Sequence, residues 1–198
     1  MQTLGGFIEN KLKLTINREK SNVCLVSESK FLGYTILNNG ILTIGKPSIE
    51  RIKTKVRQLT RRNRGVKFER IISELNSALR GWLNYSRFAQ CHGFVQKFDA
   101  WIRRKLRCYR IKQCKRVHTL QQFLHRQGVE KWQSWLLVLS GKGYWRKSSC
   151  PQSNQAMGRE WFQQHGLYNL TFHYETFNHL QKPPCTREYA RWCERAWE

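Results

Sequence analysis

Acid is scarce in this sequence. Its 198 residues hold 13 Asp and Glu against 36 Lys and Arg, a net charge of +23. A compact chain so charged repels itself unless an anionic partner offsets the excess, which points to nucleic acid or an anionic membrane surface. Long apolar runs are missing too. The longest, "WLLVL" at 135–139, is far short of the roughly 18 residues a membrane span needs. The first residues also lack the basic-then-apolar order of a signal peptide. A soluble, intracellular (cytoplasmic) chain with no membrane partner is the expectation. Cysteines at zinc-site spacing are absent as well. The closest of the seven are Cys108/Cys114 and Cys185/Cys193, wider than the roughly two to four residues between paired ligands. The histidines build no ligand set with Cys or carboxylates, so reduced thiols and no metal site are expected.

What is present is apolar and aromatic. At 40% hydrophobic and 13% aromatic, the chain is too rich in both for a disordered basic tail. The opening "LGGFIENKLKL" places Phe7, Ile8, Leu12 and Leu14 on one side of a short amphipathic helix. Residues 17–21, "NREKS", are polar and turn-like. "FLGYTILNNGILTI" (31–44) is two apolar runs split by Asn39-Gly40, a strong hairpin signal. Gly33 inside the first run marks a bulge or a close backbone approach. Val23–Val26 is the one other strand candidate. So few strands with one helix bury no core of their own, and the segment reads as the tail end of a larger domain.

Helices follow. Pro47 and Ser48 are a helix start. Ile49, Ile52, Val56 and Leu59 then make one narrow apolar face, and "NRG" at 63–65 ends the helix. A second helix is predicted from Lys67 to Phe88, with Phe68, Ile71, Ile72, Leu75, Leu79, Trp82 and Leu83 facing a core. A third runs from Phe94 to Cys114 with Phe98, Trp101, Ile102, Leu106 and Tyr109 inward, and a fourth from Thr119, as N-cap, to before Gly128. Within "LRGWLNYSRF" (79–88), Trp82 belongs to the core, Tyr85 to its edge, and Phe88 packs where the helix ends. Gly81 is expected to let a neighbouring helix come close, while Arg80 and Arg87 suit either RNA or a structural contact. From Lys131 the chain becomes aromatic and less basic. "SGKGYWRKS" (140–148) carries Lys142, Arg146 and Lys147 without phosphate-loop spacing, and Ser153 is placed to cap a helix reaching His165.

The charge is concentrated in the helical stretch. Between Arg51 and Arg126, 21 Lys and Arg face three acids (Glu69, Glu74 and Asp99), so this stretch carries 18 of the net +23. Solvated helix faces usually mix signs, yet "RRKLRCYRIKQCKR" (103–116) contains no acid. A surface of this kind binds phosphates and releases their counterions. The candidates for RNA contact are Arg51, Lys53, Lys55, Arg57, Arg61, Arg62 and Lys67, then Arg103, Arg104, Lys105, Arg107, Arg110, Lys112, Lys115 and Arg116.

Two blocks carry a family resemblance. "LKLTINREKS" with "KFLGYTI" resembles the end of the reverse transcriptase domain in group II intron-encoded proteins. "PSIERIKTKVRQLTRR", "ISELNSALRGWLNYSRF" and "FVQKFDAWIRRKLRCYRIKQCKR" resemble the maturase-specific domain, also called domain X or the thumb. The similarity covers about residues 1–127, and "SGKGYWRKS" and "YARWCERAWE" are similar to bacterial members. The resemblance implies a mainly α fold with a small β-hairpin region. Residues 1–46 would be the C-terminal remnant of a reverse transcriptase palm and 47–127 a three-helix thumb. Residues 128–198 would form an aromatic-rich extension, itself a candidate for nucleic-acid binding. It also implies that Lys20 lies near the nucleic-acid or nucleotide site and that backbone at Gly33 approaches the strand, as in a primer grip.

Departures from the family pattern shape the functional expectation. Its polymerase uses aspartates to hold two Mg²⁺ ions, in a YADD-type motif upstream of the helix that begins this chain. Here Asp99 is the one aspartate and no YxDD occurs. The HNH endonuclease of some relatives is missing too. The expectation is therefore no catalytic residue and no cofactor in this chain, with Mg²⁺ implied for the full-length polymerase and for the intron RNA. The chain would be a maturase fragment from a truncated or split reading frame. It would bind group II intron RNA through its basic helices and assist splicing. Two alternatives stand beside this. One is the C-terminal part of an RNA-directed DNA polymerase, acting on template–primer with an upstream palm segment. The other is an inert remnant of a decayed gene.

Overall fold

A computed structural model describes residues 2–17, 25, 30–37 and 40–181. Lys20, Asn39, the candidate strand Val23–Val26 apart from Leu25, and the terminal "YARWCERAWE" lie outside the described residues. The chain is mainly helical with a small antiparallel sheet. In order it forms α1 (Gln2–Asn10), β1 (Lys30–Phe31), β2 (Tyr34–Ile36), β3 (Leu42–Ile44), α2 (Lys46–Leu59), α3 (Phe68–Ser86) and α4 (His92–Gln113). Then come α5 (Val117–Arg126), α6 (Lys131–Leu139), α7 (Tyr144–Lys147), α8 (Pro151–Ala156), α9 (Arg159–Gln164) and α10 (Leu170–Gln181). No described helix is long and apolar enough to cross a membrane. Cys91, Cys108, Cys114 and Cys150 are free thiols.

The expected hairpin joins β2 to β3, pairing Tyr34 with Ile44, Thr35 with Thr43 and Ile36 with Leu42. Gly33 sits in a tight turn between β1 and β2 rather than in a bulge, at φ +76°, a conformation open to glycine. Its carbonyl accepts the Gly45 N–H at 2.9 Å. A Cβ on Gly45 would lie 2.8 Å from that oxygen, so the two backbones meet only because residue 45 has no side chain. The sheet leans on the end of α3. Tyr34 and Tyr85 stack with centroids 5.5 Å apart. The Tyr85 hydroxyl donates to the Leu32 carbonyl, and the Tyr34 hydroxyl to the Tyr85 carbonyl.

α2, α3 and α4 follow the apolar periodicity. α2 starts from extended Gly45 with Pro47 in its first turn, where a missing N–H costs nothing. It stops at Leu59, earlier than "NRG" suggested. Thr60 Oγ1 takes the Val56 carbonyl at 2.7 Å and the Arg64 guanidinium takes that of Leu59 at 2.9 Å. Phe68, Ile71, Ile72, Leu75, Leu79 and Leu83 bury one face of α3, each worth about 1.5–3 kcal/mol over its exposed state. α5 begins two residues before the expected cap, because Lys115 at φ +40° and extended Arg116 turn the corner from α4. The helix expected from Ser153 to His165 is two helices. Ser153 is buried inside α8, its hydroxyl on the Lys147 carbonyl at 2.6 Å, and the chain breaks at Met157–Gly158, where Met157 plugs the core.

Gly81 does not admit a neighbouring helix. It is exposed, and nothing lies within 4 Å of the Cβ it lacks. Trp82 is half-buried against the core beside Phe94 and Phe98, while Tyr85 and Phe88 are exposed.

One apolar cluster runs from Ile44 to Tyr174 and includes Leu137, Trp161, Phe162 and Leu170, so the aromatic-rich segment shares a core with the basic helices. Polar anchors fix it there. Asp99, buried in α4, accepts the N–H groups of Leu170 and Thr171 and the Thr171 hydroxyl, at 3.3, 2.8 and 2.6 Å. It acts as the N-cap of α10 from another helix, a favourable place for a carboxylate. Asn76 of α3 brackets the preceding loop, donating to Gly166 O and accepting from Tyr168 N. The Tyr174 hydroxyl donates to Ala89 O at 2.7 Å and accepts the Cys91 N–H.

Asp99→Ala is expected to lower stability to urea unfolding by about 1–3 kcal/mol, because buried donors lose their acceptor, with Asp99→Asn losing less. A second expectation concerns acid. The His173 ring lies flat on Tyr168, with centroids 4.1 Å apart. Burial, and then the Arg80 charge, hold its pKa below the usual 6.5, against the opposing pull of Asp99. The unfolded chain therefore takes up this proton first, and stability falls as pH drops through the histidine range. Melting temperatures of His173→Phe should decline less than wild type between about pH 7 and pH 5.5.

Candidate nucleic-acid interface

α2 carries its cations in two rows. Arg51 and Lys55, one turn apart and exposed, edge a groove of about 450 Å³ between α2 and α3. Small side chains (Ser48, Ala78 and Gly81) give it depth, with Ile52, Trp82 and Tyr85 as its apolar lining. Neither cation meets a carboxylate among the described residues. The acid of this helix, Glu50, instead holds Lys53 at 3.1 Å and reaches Arg57 at 3.8 Å. Both contacts are solvent-exposed and worth little.

The second row faces α4 and α7. Arg57, Arg61, Arg62 and Lys105 surround a cavity of about 290 Å³ together with Thr60, Cys108 and Trp145. Aromatic rings position these cations. Arg57 lies 5.9 Å from the Trp101 centroid, Arg62 5.8 Å and Lys112 5.2 Å from Tyr144, and Lys105 4.9 Å from Trp145. Such contacts contribute roughly 0.5–1 kcal/mol each at exposed sites. Burial first, and then Arg57 and Arg62, hold the Lys105 ammonium below its ordinary pKa, partly offset by Cys108. Burial pushes the Cys108 thiol up.

The arginines of α4 turn inward. Arg107 donates to the carbonyls of Ser148 at 3.0 Å and Met157 at 3.2 Å. Burial, with repulsion from Arg103 and Arg104, brings its pKa down to about 10. Arg104 lies 4.0 Å over the Trp145 ring and donates to Trp145 O and Ser149 Oγ. Arg110 packs 4.9 Å from Phe123 and bonds Gln113. Arg103 is half-buried between Asp99 and Arg159, with burial holding its pKa down. Arg104 and Arg107 thereby fasten the aromatic-rich segment to α4, while Arg110 packs between Phe68 and Phe123. Lys67, Lys112, Lys115 and Arg116 are exposed. Arg80 and Arg87 also pack on rings, of Tyr168 and of Phe88. The backbone at Gly33 is approached by Gly45 and by Tyr85 of this same chain.

The sequence reading missed Trp101, Tyr144 and Trp145 as organisers of the cations. For Tyr144 and Trp145 a signal was present in "SGKGYWRKS", where two rings stand between Lys142 and Arg146-Lys147. Asp99 spends its oxygens on α10, and no three His, Cys, Asp or Glu gather among the described residues.

Truncating a structural arginine and a surface lysine should separate the two classes. Arg107→Ala is expected to cost about 1–3 kcal/mol in urea unfolding, since two buried carbonyls lose their donor. Lys112→Gln should stay within about 0.5 kcal/mol of wild type.

No curated protein matches the chain. Residues 49–132, from the first turn of α2 to the start of α6 and including both rows of cations, match the model of the family described as group II intron, maturase-specific domain.

Proposed function

We propose that the chain binds group II intron RNA through the exposed cations of α2 and the outer rim of α4. Binding in this way assists splicing by lowering the free energy of the active RNA fold. The observation that carries this reading is that Arg51 and Lys55 on α2, and Arg61 in the turn that follows it, lie in the maturase-matching segment without a carboxylate partner among the described residues. A fold that leaves such charges uncompensated is stabilised by a polyanion. The protein contributes no chemistry in this account, since the intron RNA supplies the reacting groups. We read α1 and the hairpin as the end of a reverse transcriptase palm, 47–127 as the thumb, and 128–198 as an extension that braces it, in a cytoplasmic ribonucleoprotein.

A second reading is favoured by the hairpin. Its docking on α3 through Tyr34 and Tyr85 would hold a palm edge in register with a thumb. The chain would then complete an RNA-directed DNA polymerase whose aspartates come from an upstream segment.

Gel shifts with a structured group II intron RNA test the first reading. About four phosphate contacts give a slope near −3 in log K against log salt, so affinity should drop on the order of a hundredfold between 50 and 200 mM salt. An affinity insensitive to salt would sink it. Splicing of that intron should accelerate when the chain is added and fail to do so with Arg51→Gln/Lys55→Gln. Primer extension, with and without a separately supplied palm segment, tests the second reading.

A further inference from the structure

We propose that the cavity enclosed by the end of α2, the middle of α4 and α7 is a built seat for one RNA backbone phosphate. In it Arg61 and Lys105 make the direct contacts, and Arg57 and Arg62 complete the cationic wall. This rests on the RNA-binding reading above and narrows it to one site that the C-terminal segment helps to form.

Four cations from three turns of chain converge on this space. Among the described residues, the one carboxylate that pairs with any of these four is Glu50, which reaches Arg57 from 3.8 Å, in solvent. Convergence of like charges costs folding free energy, and the cost rises where water is partly excluded, as around half-buried Lys105. Rings fix three of the four beside the cavity. Trp145 holds Lys105, Trp101 holds both Lys105 and Arg57, and Tyr144 holds Arg62. Arg61 lines the same space with its side chain exposed and available to a ligand from solvent. A tetrahedral oxyanion suits this geometry, because guanidinium forks bind phosphate oxygens in pairs and an ammonium adds a point charge. The groove on the other side of α2 differs in kind, with two cations over an open, apolar floor. The two rows therefore divide the work, and the α7 side is the phosphate anchor.

The full chain is tested with structured intron RNA and, separately, with inorganic phosphate. Arg61→Gln/Lys105→Gln should weaken RNA binding about tenfold and shallow the salt slope by about one. In phosphate-free buffer it should melt close to wild type, since relieved repulsion offsets the ring contacts that Lys105 loses. Inorganic phosphate should raise the wild-type melting temperature above a chloride control of equal ionic strength, and this difference should vanish in the double variant. Arg51→Gln/Lys55→Gln serves as the comparison. If it weakens RNA binding while the pocket variant does not, the seat is overturned and the RNA-binding reading survives. If neither pair weakens binding, both fall. If phosphate stabilises the chain but RNA affinity and slope are unchanged in the pocket variant, the cavity holds free phosphate and the proposal is overturned. A pocket variant that melts well below wild type without phosphate would show that these cations are structural, and would overturn it too.

Discussion

The fold depends on guanidinium groups finding partners in a chain with almost no carboxylates to offer. Backbone carbonyls at helix ends take that place. Arg107 donates to Ser148 and Met157, the residues that close α7 and α8, and Arg64 divides its guanidinium between Leu59, the last residue of α2, and the Glu74 carboxylate at 2.7 Å. These carbonyls have no partner inside their helices and sit at the negative end of the helix dipole, so one cation answers two needs. Aromatic faces absorb much of the remaining charge. One arginine of α4 thus completes the ends of both α7 and α8.

That arrangement sorts the basic residues by type and place. Arginine dominates where a planar fork must reach a carbonyl or lie on a ring within the body of the protein. Lysine is common on the outer rim, at Lys55, Lys67, Lys112 and Lys115. The freely exposed basic surface is therefore narrower than the raw charge implies, and among the described residues it includes Arg51 and Lys55 of α2 and Lys112 of α4.

The helices α2 to α4 were legible because their apolar residues recur at strict helical spacing, and Val56, Leu75 and Leu106 are buried as that spacing requires. The hairpin was legible from Asn39-Gly40. The fate of the α4 arginines was not, since Arg104 and Arg107 bond partners 41 to 50 residues away and nothing local distinguishes them from Lys112. Asp99 was hidden for the same reason. Its partners lie 71 and 72 residues downstream, and as a lone acid in a basic helix it resembled an incidental charge. Gly81 misled because a glycine in a helix suggests close packing, whereas here its missing side chain hollows a groove. The exposure of Arg51 and Lys55 was readable, being fixed by the opposite, apolar face of α2.

The cap that Asp99 places on α10 also has a consequence in time. Ribosomes add roughly 5–20 residues per second, so α4 emerges several seconds before Leu170 and Thr171 are made. Through that interval the Asp99 carboxylate and the Arg107 guanidinium can be satisfied only by water. The face of α4 that carries Asp99 and Arg107 stays wet while the nascent chain grows, and is covered only when the last helices close on it.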